Sequence, residues 1–361
     1  MEKVLLGVGP TRINKYILKD AMIDSDLCRM NDTKHLVKEH VKKLNYFFGE
    51  GRYSFAIPGS GSVGMEACLL NFLKPDDTIV VGVAGAFGWR IVDMARRMGV
   101  HVIVAEVELG RGIQLEQIIN IIKDQNVKMV CLVHLETSTG VLQKLDEQFS
   151  DYLRDKEILL FLDVVASYAG MNVNLDKWGV DIAYASTQKC LSCPAGLALV
   201  SYNDKAKTIM QRNKKRVNWC YDFDNIYTHV LEGVYPHTTP LFLLNMLVQV
   251  IDYIMGTGQS VYFDTQKQCG NRIKEMLEPL GFTMLPHCDW EAPQVKVYYP
   301  PNKIDSHKII NVLDEYGIHI SPGIGKLSHN IIRIGTMGMS ANMEDLDYLE
   351  EILQTKVKNI L

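Results

Sequence analysis

Seven apolar runs of four to eight residues, separated by segments of helical spacing, dominate the middle of this 361-residue chain. They are Tyr53–Ile57, Thr78–Val83, His101–Val107, Met129–Leu135, Ile158–Val164, Ile182–Ala185 and Leu197–Ser201, with helices over Val63–Phe72, Trp89–Met98, Leu115–Lys123 and Glu147–Arg154. Strands without polar alternation cannot expose either face, so the pattern predicts a mostly parallel sheet covered by helices. Such sheets bind ligands outside the carboxyl ends of their strands. Upstream, residues 3–14 read as an extended segment closing in the turn Gly9-Pro10-Thr11. Residues 32–48 carry Leu36, Val37, Val41, Leu44 and Phe47 at helical spacing. Past Pro240 an apolar helix runs toward Met255, and Gly256-Thr257-Gly258 is the hinge candidate. Residues 259–361 read as a small α+β domain, with helices at 260–279, 306–316 and from Met343, and strands near Val295–Tyr299 and Ile331–Ile334.

Composition narrows the function. A net charge of -4 offers no polybasic footprint for nucleic acid, and Lys214-Lys215-Arg216 reads as a solvated helix end. The apolar start Val4-Leu5-Leu6 is too short for a signal peptide, and Leu241–Met255 is interrupted by Asn245, Gln249 and Asp252, so no membrane partner is expected. Eight scattered cysteines suit reduced thiols, and a cytoplasmic location is the expectation.

Within Asp181–Gly196, small and apolar residues lead into Ser186-Thr187-Gln188-Lys189, and Pro194 and Gly196 break the chain before the next strand. Alone, Lys189 reads as an ordinary loop lysine. A desolvated lysine is also a good nucleophile, able to form an imine with an aldehyde cofactor. Gly59-Ser60-Gly61-Ser62-Val63-Gly64 matches a dinucleotide fingerprint, but no carboxylate follows the next strand until Asp93. Small residues at a helix start still suit a phosphate monoester. Asp163 ends a strand, where a carboxylate can hold a proton on a heteroaromatic nitrogen, cap a helix or form an ion pair. Glu136-Thr137-Ser138-Thr139-Gly140 follows another strand end, Phe87 stands among small residues as a stacking platform or a core residue, and Arg333 lies within a strand of the small domain. Facing inward, Arg333 needs a carboxylate or phosphate; facing outward, it is solvated. Cys190 and Cys193 form C-x-x-C without a second ligand pair, so no metal is expected.

In this order and combination, Ser60-Gly61-Ser62, Glu136 to Gly140, Asp163 to Ser167, Ser186 to Lys189 and Arg333 resemble the class V aminotransferases of pyridoxal 5'-phosphate (PLP) fold type I. The similarity is greatest to the alanine–glyoxylate, serine–pyruvate and 2-aminoethylphosphonate–pyruvate group. It implies a mostly parallel seven-stranded sheet flanked by helices. It also implies an N-terminal arm over 1–18, a large cofactor domain over 19–256 and a small α+β domain over 257–361. By this resemblance Lys189 holds the cofactor and moves the α-proton, Asp163 keeps the ring nitrogen protonated, and Phe87 and Val165 flank the ring. Ser60, Gly61, Ser62 and Gln188 bind the phosphate, and Thr137 meets the ring hydroxyl region. Tyr235 and Thr238 reach the phosphate from a partner subunit, which implies a homodimer with shared sites. Arg333 clamps the substrate carboxylate and the Gly9 turn closes over it, although the family's Pro-Gly-Pro is here Val8-Gly9-Pro10.

The expected activity is transfer of an amino group from a small amino acid such as alanine or serine to pyruvate or glyoxylate, by a ping-pong mechanism. The alternative donor is 2-aminoethylphosphonate, because the stretch 24–35, with Asp24, Asp26 and Asp32, is similar to that branch. Cysteine desulfurases share the fold but use a mobile cysteine and commonly a stacking histidine where Phe87 stands. A non-catalytic relative would not need Lys189, Asp163 and Arg333 together.

Overall fold

The computed structural model describes residues 3–23, 30–212 and 218–361. Asp24, Asp26 and the basic cluster Lys214-Lys215-Arg216 lie outside the described residues, and of Asp32 only the backbone is described.

The seven central strands are β1 (Tyr53–Pro58), β2 (Thr78–Val83), β3 (His101–Glu106), β4 (Met129–Val133), β5 (Leu159–Asp163), β6 (Ile182–Ser186) and β7 (Leu197–Tyr202). They form one sheet in the order β1-β7-β6-β5-β4-β2-β3. Neighbours from β6 to β3 pair parallel, whereas β7 is antiparallel to both β6 and β1. The loop from Thr187 to Gly196 is too short for a crossover and can only return the chain antiparallel. Strands β4 to β7 are buried along their whole length, which explains their unbroken apolar sequences.

The expected strand over 129–135 is shorter than its hydrophobicity suggests. It stops at Val133, and Leu135–Glu136 forms a separate hairpin with Val141–Leu142. This turn moves Glu136 beneath the helix Ala86–Arg97. That helix (α2) and Gly61–Phe72 (α1) each begin two or three residues before their hydrophobic periodicity. Helix α1 lies close on the sheet because Gly64 has no side chain: a Cβ there would meet the Ala198 methyl at 2.8 Å and the Tyr184 ring at 3.2 Å. Helices at Asp204–Arg212 and Phe223–Glu232 carry no signal strong enough to predict from sequence.

Helix α3 (Leu241–Thr257) is buried on one face. It breaks at Gly258, with φ of 93°, into α4 (Gln259–Leu277) at an angle of 89°. No single helix among the described residues is long and apolar enough to cross a membrane. Beyond the bend, an antiparallel sheet is built from β8 (Thr283–Met284), β9 (Val295–Tyr299), β10 (Ser321–Pro322) and β11 (Ile332–Gly335), in the order β8-β9-β11-β10. Its core includes Ile273, Tyr298, Leu313, Ile334 and Leu349, joined by Val4 and Leu6 from the start of the chain. Val4–Leu5 pairs parallel with Ile318–His319, and the Gly335 amide donates to Leu6 at 2.8 Å. The start of the chain thus packs with this sheet, and its next residues reach back to Lys189.

Candidate active site

Lys189 stands in the loop joining β6 to β7, directly beyond the carboxyl end of β6. The N-terminal arm grips this loop: the Thr11 amide donates to Gln188 at 3.1 Å and its hydroxyl to the Lys189 carbonyl at 2.8 Å. The Lys189 amine donates to the Val8 carbonyl. Gly9 is what permits this approach, since a Cβ there would lie 2.5 Å from Nζ and 2.7 Å from Cδ, and its φ of 107° favours glycine. Burial lowers the lysine pKa to about 8; Cys190 and Asp163 oppose the shift, while Arg333 and Arg90 add to it.

Asp163 closes β5 and is 4% exposed. Its carboxylate accepts from the Val165 amide at 2.8 Å and from the Tyr184 hydroxyl. Tyr184 is its register partner on β6. Burial raises the Asp163 pKa to about 6 against the pull of those two bonds. A tyrosine within Ile-Ala-Tyr-Ala-Ser was the available sequence signal for this second group, but only the strand register shows what it touches.

Asp163, Lys189 and the N-terminus of α1 enclose a cavity of about 190 Å³. It is lined by nine of the residues expected from sequence: Ser60, Gly61, Ser62, Phe87, Thr137, Asp163, Val165, Gln188 and Lys189. Tyr184 and Arg90, which sequence reasoning missed, line it too. The first N–H groups of a helix have no intrahelical acceptor, so α1 offers an anion site here. Ser60 precedes α1 in extended conformation without using its side chain as a cap. A Cβ on Gly61 would press on Ser186 Oγ at 3.2 Å and Val165 Cγ2 at 3.3 Å. Ser186 Oγ and Gln188 Oε1 are buried without a protein partner. Buried polar atoms of that kind call for a ligand.

Phe87 is set by a buried carboxylate that sequence reasoning treats only as part of a turn. Glu136 accepts from the Phe87 amide at 2.9 Å and the Gly88 amide at 3.3 Å, at the start of α2. Its other oxygen accepts from the Ser138 amide at 3.1 Å and hydroxyl at 2.6 Å. Ser138 and Thr139 thereby use their hydroxyls on the protein, Thr139 donating to Ala84 at 2.9 Å. This leaves Thr137 as the member of that turn on the cavity wall.

Arg333 is 7% exposed on β11. Its Nε donates to Pro322 at 2.7 Å and Nη1 to Thr137 at 3.1 Å, both carbonyls. Among the described residues no carboxylate lies within ion-pair distance of it. Burial lowers its pKa to about 10, with the Glu136 charge opposing. The inward reading of Arg333 therefore holds, and a charge buried this way fits an incoming carboxylate.

Tyr235 and Thr238 do not line this cavity. Tyr235 is buried, its hydroxyl donating to Ala56 at 2.8 Å beside His40; Thr238 is exposed. Cys190 and Cys193 are buried free thiols, bonded to the carbonyls of Ala166 and Met246. Burial raises both thiol pKa values, that of Cys190 to about 12, so neither has the mobility or acidity of a catalytic cysteine. No cluster among the described residues could hold a metal ion.

The family model for Aminotransferase class-V matches residues 32–349. The chain belongs to the class-V aminotransferases. The alanine–glyoxylate aminotransferase of Drosophila melanogaster is 29% identical over 99% of this chain and 93% of its own length. The crystal structure of alanine–glyoxylate aminotransferase from Nostoc sp. superposes with a TM-score of 0.93 at 30% identity, covering 98% of this aminotransferase and 95% of that chain. The ureidoglycine–glyoxylate aminotransferase of Bacillus subtilis superposes at 0.88 with 26% identity, covering 98% and 93%. The cofactor of this aminotransferase is pyridoxal 5'-phosphate. The cavity fits it: a helix N-terminus for the phosphate with the unpartnered Ser186 hydroxyl against Gly61, an aromatic platform, a buried carboxylate and a lysine of lowered pKa.

Proposed function

We propose that this aminotransferase moves the amino group of a small amino acid, alanine or serine, to glyoxylate or pyruvate. The observation that carries the reading is Arg333: a buried guanidinium without a carboxylate partner, bonded to the same Thr137 that lines the Lys189 cavity. One arginine can bind the donor's carboxylate in the first half-reaction and the acceptor's in the second. PLP, when bound, supplies the electron sink that lets the α-proton leave. Lys189 provides the base; with its pKa near 8, roughly a tenth of it is neutral at pH 7. Asp163 would hold a proton on the ring nitrogen. Gly9 and Val8 cover the lysine and keep water from it.

We further propose a homodimer with shared sites. Thr238 is exposed, as a contact with a partner's cavity requires, whereas Tyr235 would first have to release Ala56. The seven described cysteines are unbridged, which supports a reducing, cytoplasmic setting.

The test is the visible absorption of the purified protein with single amino donors and no acceptor. Bleaching by alanine or serine supports the proposal. Bleaching by 2-aminoethylphosphonate alone would replace the donor. Arg333→Gln should raise KM for both substrates at least tenfold with less change in the cofactor spectrum; an unchanged KM would refute the carboxylate role.

A further inference from the structure

Arg90 stands on the cavity wall, yet neither the proton transfer nor the carboxylate clamp employs it. We propose that Arg90 binds the phosphate of the cofactor, opposite the cradle made by Ser60, Gly61 and Ser62. This rests on PLP as the cofactor and adds a residue to its site.

Position is the first argument. Arg90 follows Phe87 by three residues on α2, so both project from one face of the helix. Its guanidinium carbon lies 4.6 Å from the centroid of the Phe87 ring, and Nη1 donates to Ser62 Oγ at 2.9 Å. The charge is thus suspended between the stacking platform and the first turn of α1. Because Glu136 fixes the start of α2, Phe87 and Arg90 are carried by one anchored turn.

Charge is the second. A phosphate monoester carries between one and two negative charges near neutrality, while a helix N-terminus supplies only about half a positive one. Of the cavity-lining residues, only Arg90 and Lys189 are cationic, and Lys189 is committed to the reacting end. Among the described residues no carboxylate lies within ion-pair distance of Arg90. It is held instead by a neutral hydroxyl and an aromatic face, which leaves N–H groups of the fork for an anion. Ser62 then serves two sides at once, with its amide in the α1 turn and its hydroxyl on the arginine. The charge of Arg90 also reaches the reaction centre, since it adds to the lowering of the Lys189 pKa.

The experiment titrates the cofactor-free protein with pyridoxal 5'-phosphate and, separately, with pyridoxal, which has no phosphate. Both are followed by absorbance, for wild type, Arg90→Gln and Arg90→Lys. Loss of a charge-assisted contact should weaken binding of the phosphorylated aldehyde by roughly 10- to 100-fold in Arg90→Gln. Pyridoxal should bind within about twofold of wild type, and Arg90→Lys should fall between. The preference for the phosphorylated form therefore collapses. Equal weakening of both aldehydes would show that Arg90 only supports Phe87, and would overturn the proposal. So would unchanged cofactor affinity with a raised KM for the 2-oxo acid, which would place Arg90 on the substrate. Wild-type protein that captures neither aldehyde would refute the cofactor itself, and the phosphate role with it.

Discussion

Asp163→Asn should make the cofactor-free protein more stable while slowing the chemistry of the loaded one. The carboxylate is 4% exposed at the end of β5 and accepts two hydrogen bonds, from Val165 and Tyr184. These do not compensate its desolvation, and its pKa rises to about 6. In the unfolded chain an aspartate titrates near ~3.9, so the two states differ by about two pH units, worth about 3 kcal/mol. The folded pKa is the higher one, so between those values the folded state binds more protons than the unfolded state. Stability of the cofactor-free protein therefore falls as pH rises from about 4 to 6, and the full cost is present above that window. Asparagine keeps the shape without the charge. The gain from Asp163→Asn should be up to about 3 kcal/mol at pH 8 and only about 0.5 kcal/mol at pH 4. Urea unfolding of both cofactor-free proteins at the two pH values measures it. Transamination half-reactions of the loaded proteins should slow by at least about a hundredfold, the loss expected when an electrostatic partner of the reacting group is removed. A variant no more stable than wild type at pH 8, or equally stabilised at both pH values, would refute the reasoning.

Glu136→Ala should destabilise the protein by about 3–5 kcal/mol, because four hydrogen bonds to one buried carboxylate are lost and two helix amides are left unpaired; faster hydrogen exchange at Phe87 and Gly88 is the direct check. Gly9→Ala should cost more than about 1 kcal/mol in unfolding experiments, because its φ of 107° strains any side chain, and should lower kcat at least tenfold, since its methyl would occupy the space of the Lys189 side chain. The lysine pKa near 8 means that capture of PLP by the cofactor-free protein should quicken as pH rises and level off above about 8; a stopped-flow profile still rising steeply toward pH 10 would show an ordinary lysine. The same lowered pKa means that protonated Lys189 costs stability below about pH 8, and that this cost is relieved as pH rises toward the unfolded value of ~10.4.

Hydrophobic patterning makes the sheet legible in the amino-acid sequence, because strands such as Leu159–Asp163 and Leu197–Tyr202 are buried on both faces and are apolar at nearly every position. The same local logic locates Asp163, Lys189 and Ser60-Gly61-Ser62, since each interrupts an apolar or helical pattern at a strand end or helix start. It places the start of α2 too late because the turn is stabilised by Glu136, some fifty residues away, rather than by a cap in its own sequence. Tyr184 is hidden for a related reason: its partner Asp163 is a neighbour by strand register, not by sequence. Arg90 reads as one more solvated helix residue and does stay exposed, but only the fold sets Ser62 and Phe87 beside it. For Arg333, inward and outward readings are even until the backbone orients its strand and Thr137 meets its fork. The chain's own sequence determined which segments are buried and which residues break the pattern, because periodicity and desolvation act over a few neighbouring positions. Which groups meet around the cavity was decided only by tertiary structure, because contacts such as that of Arg333 with the Thr137 carbonyl join segments up to nearly two hundred residues apart.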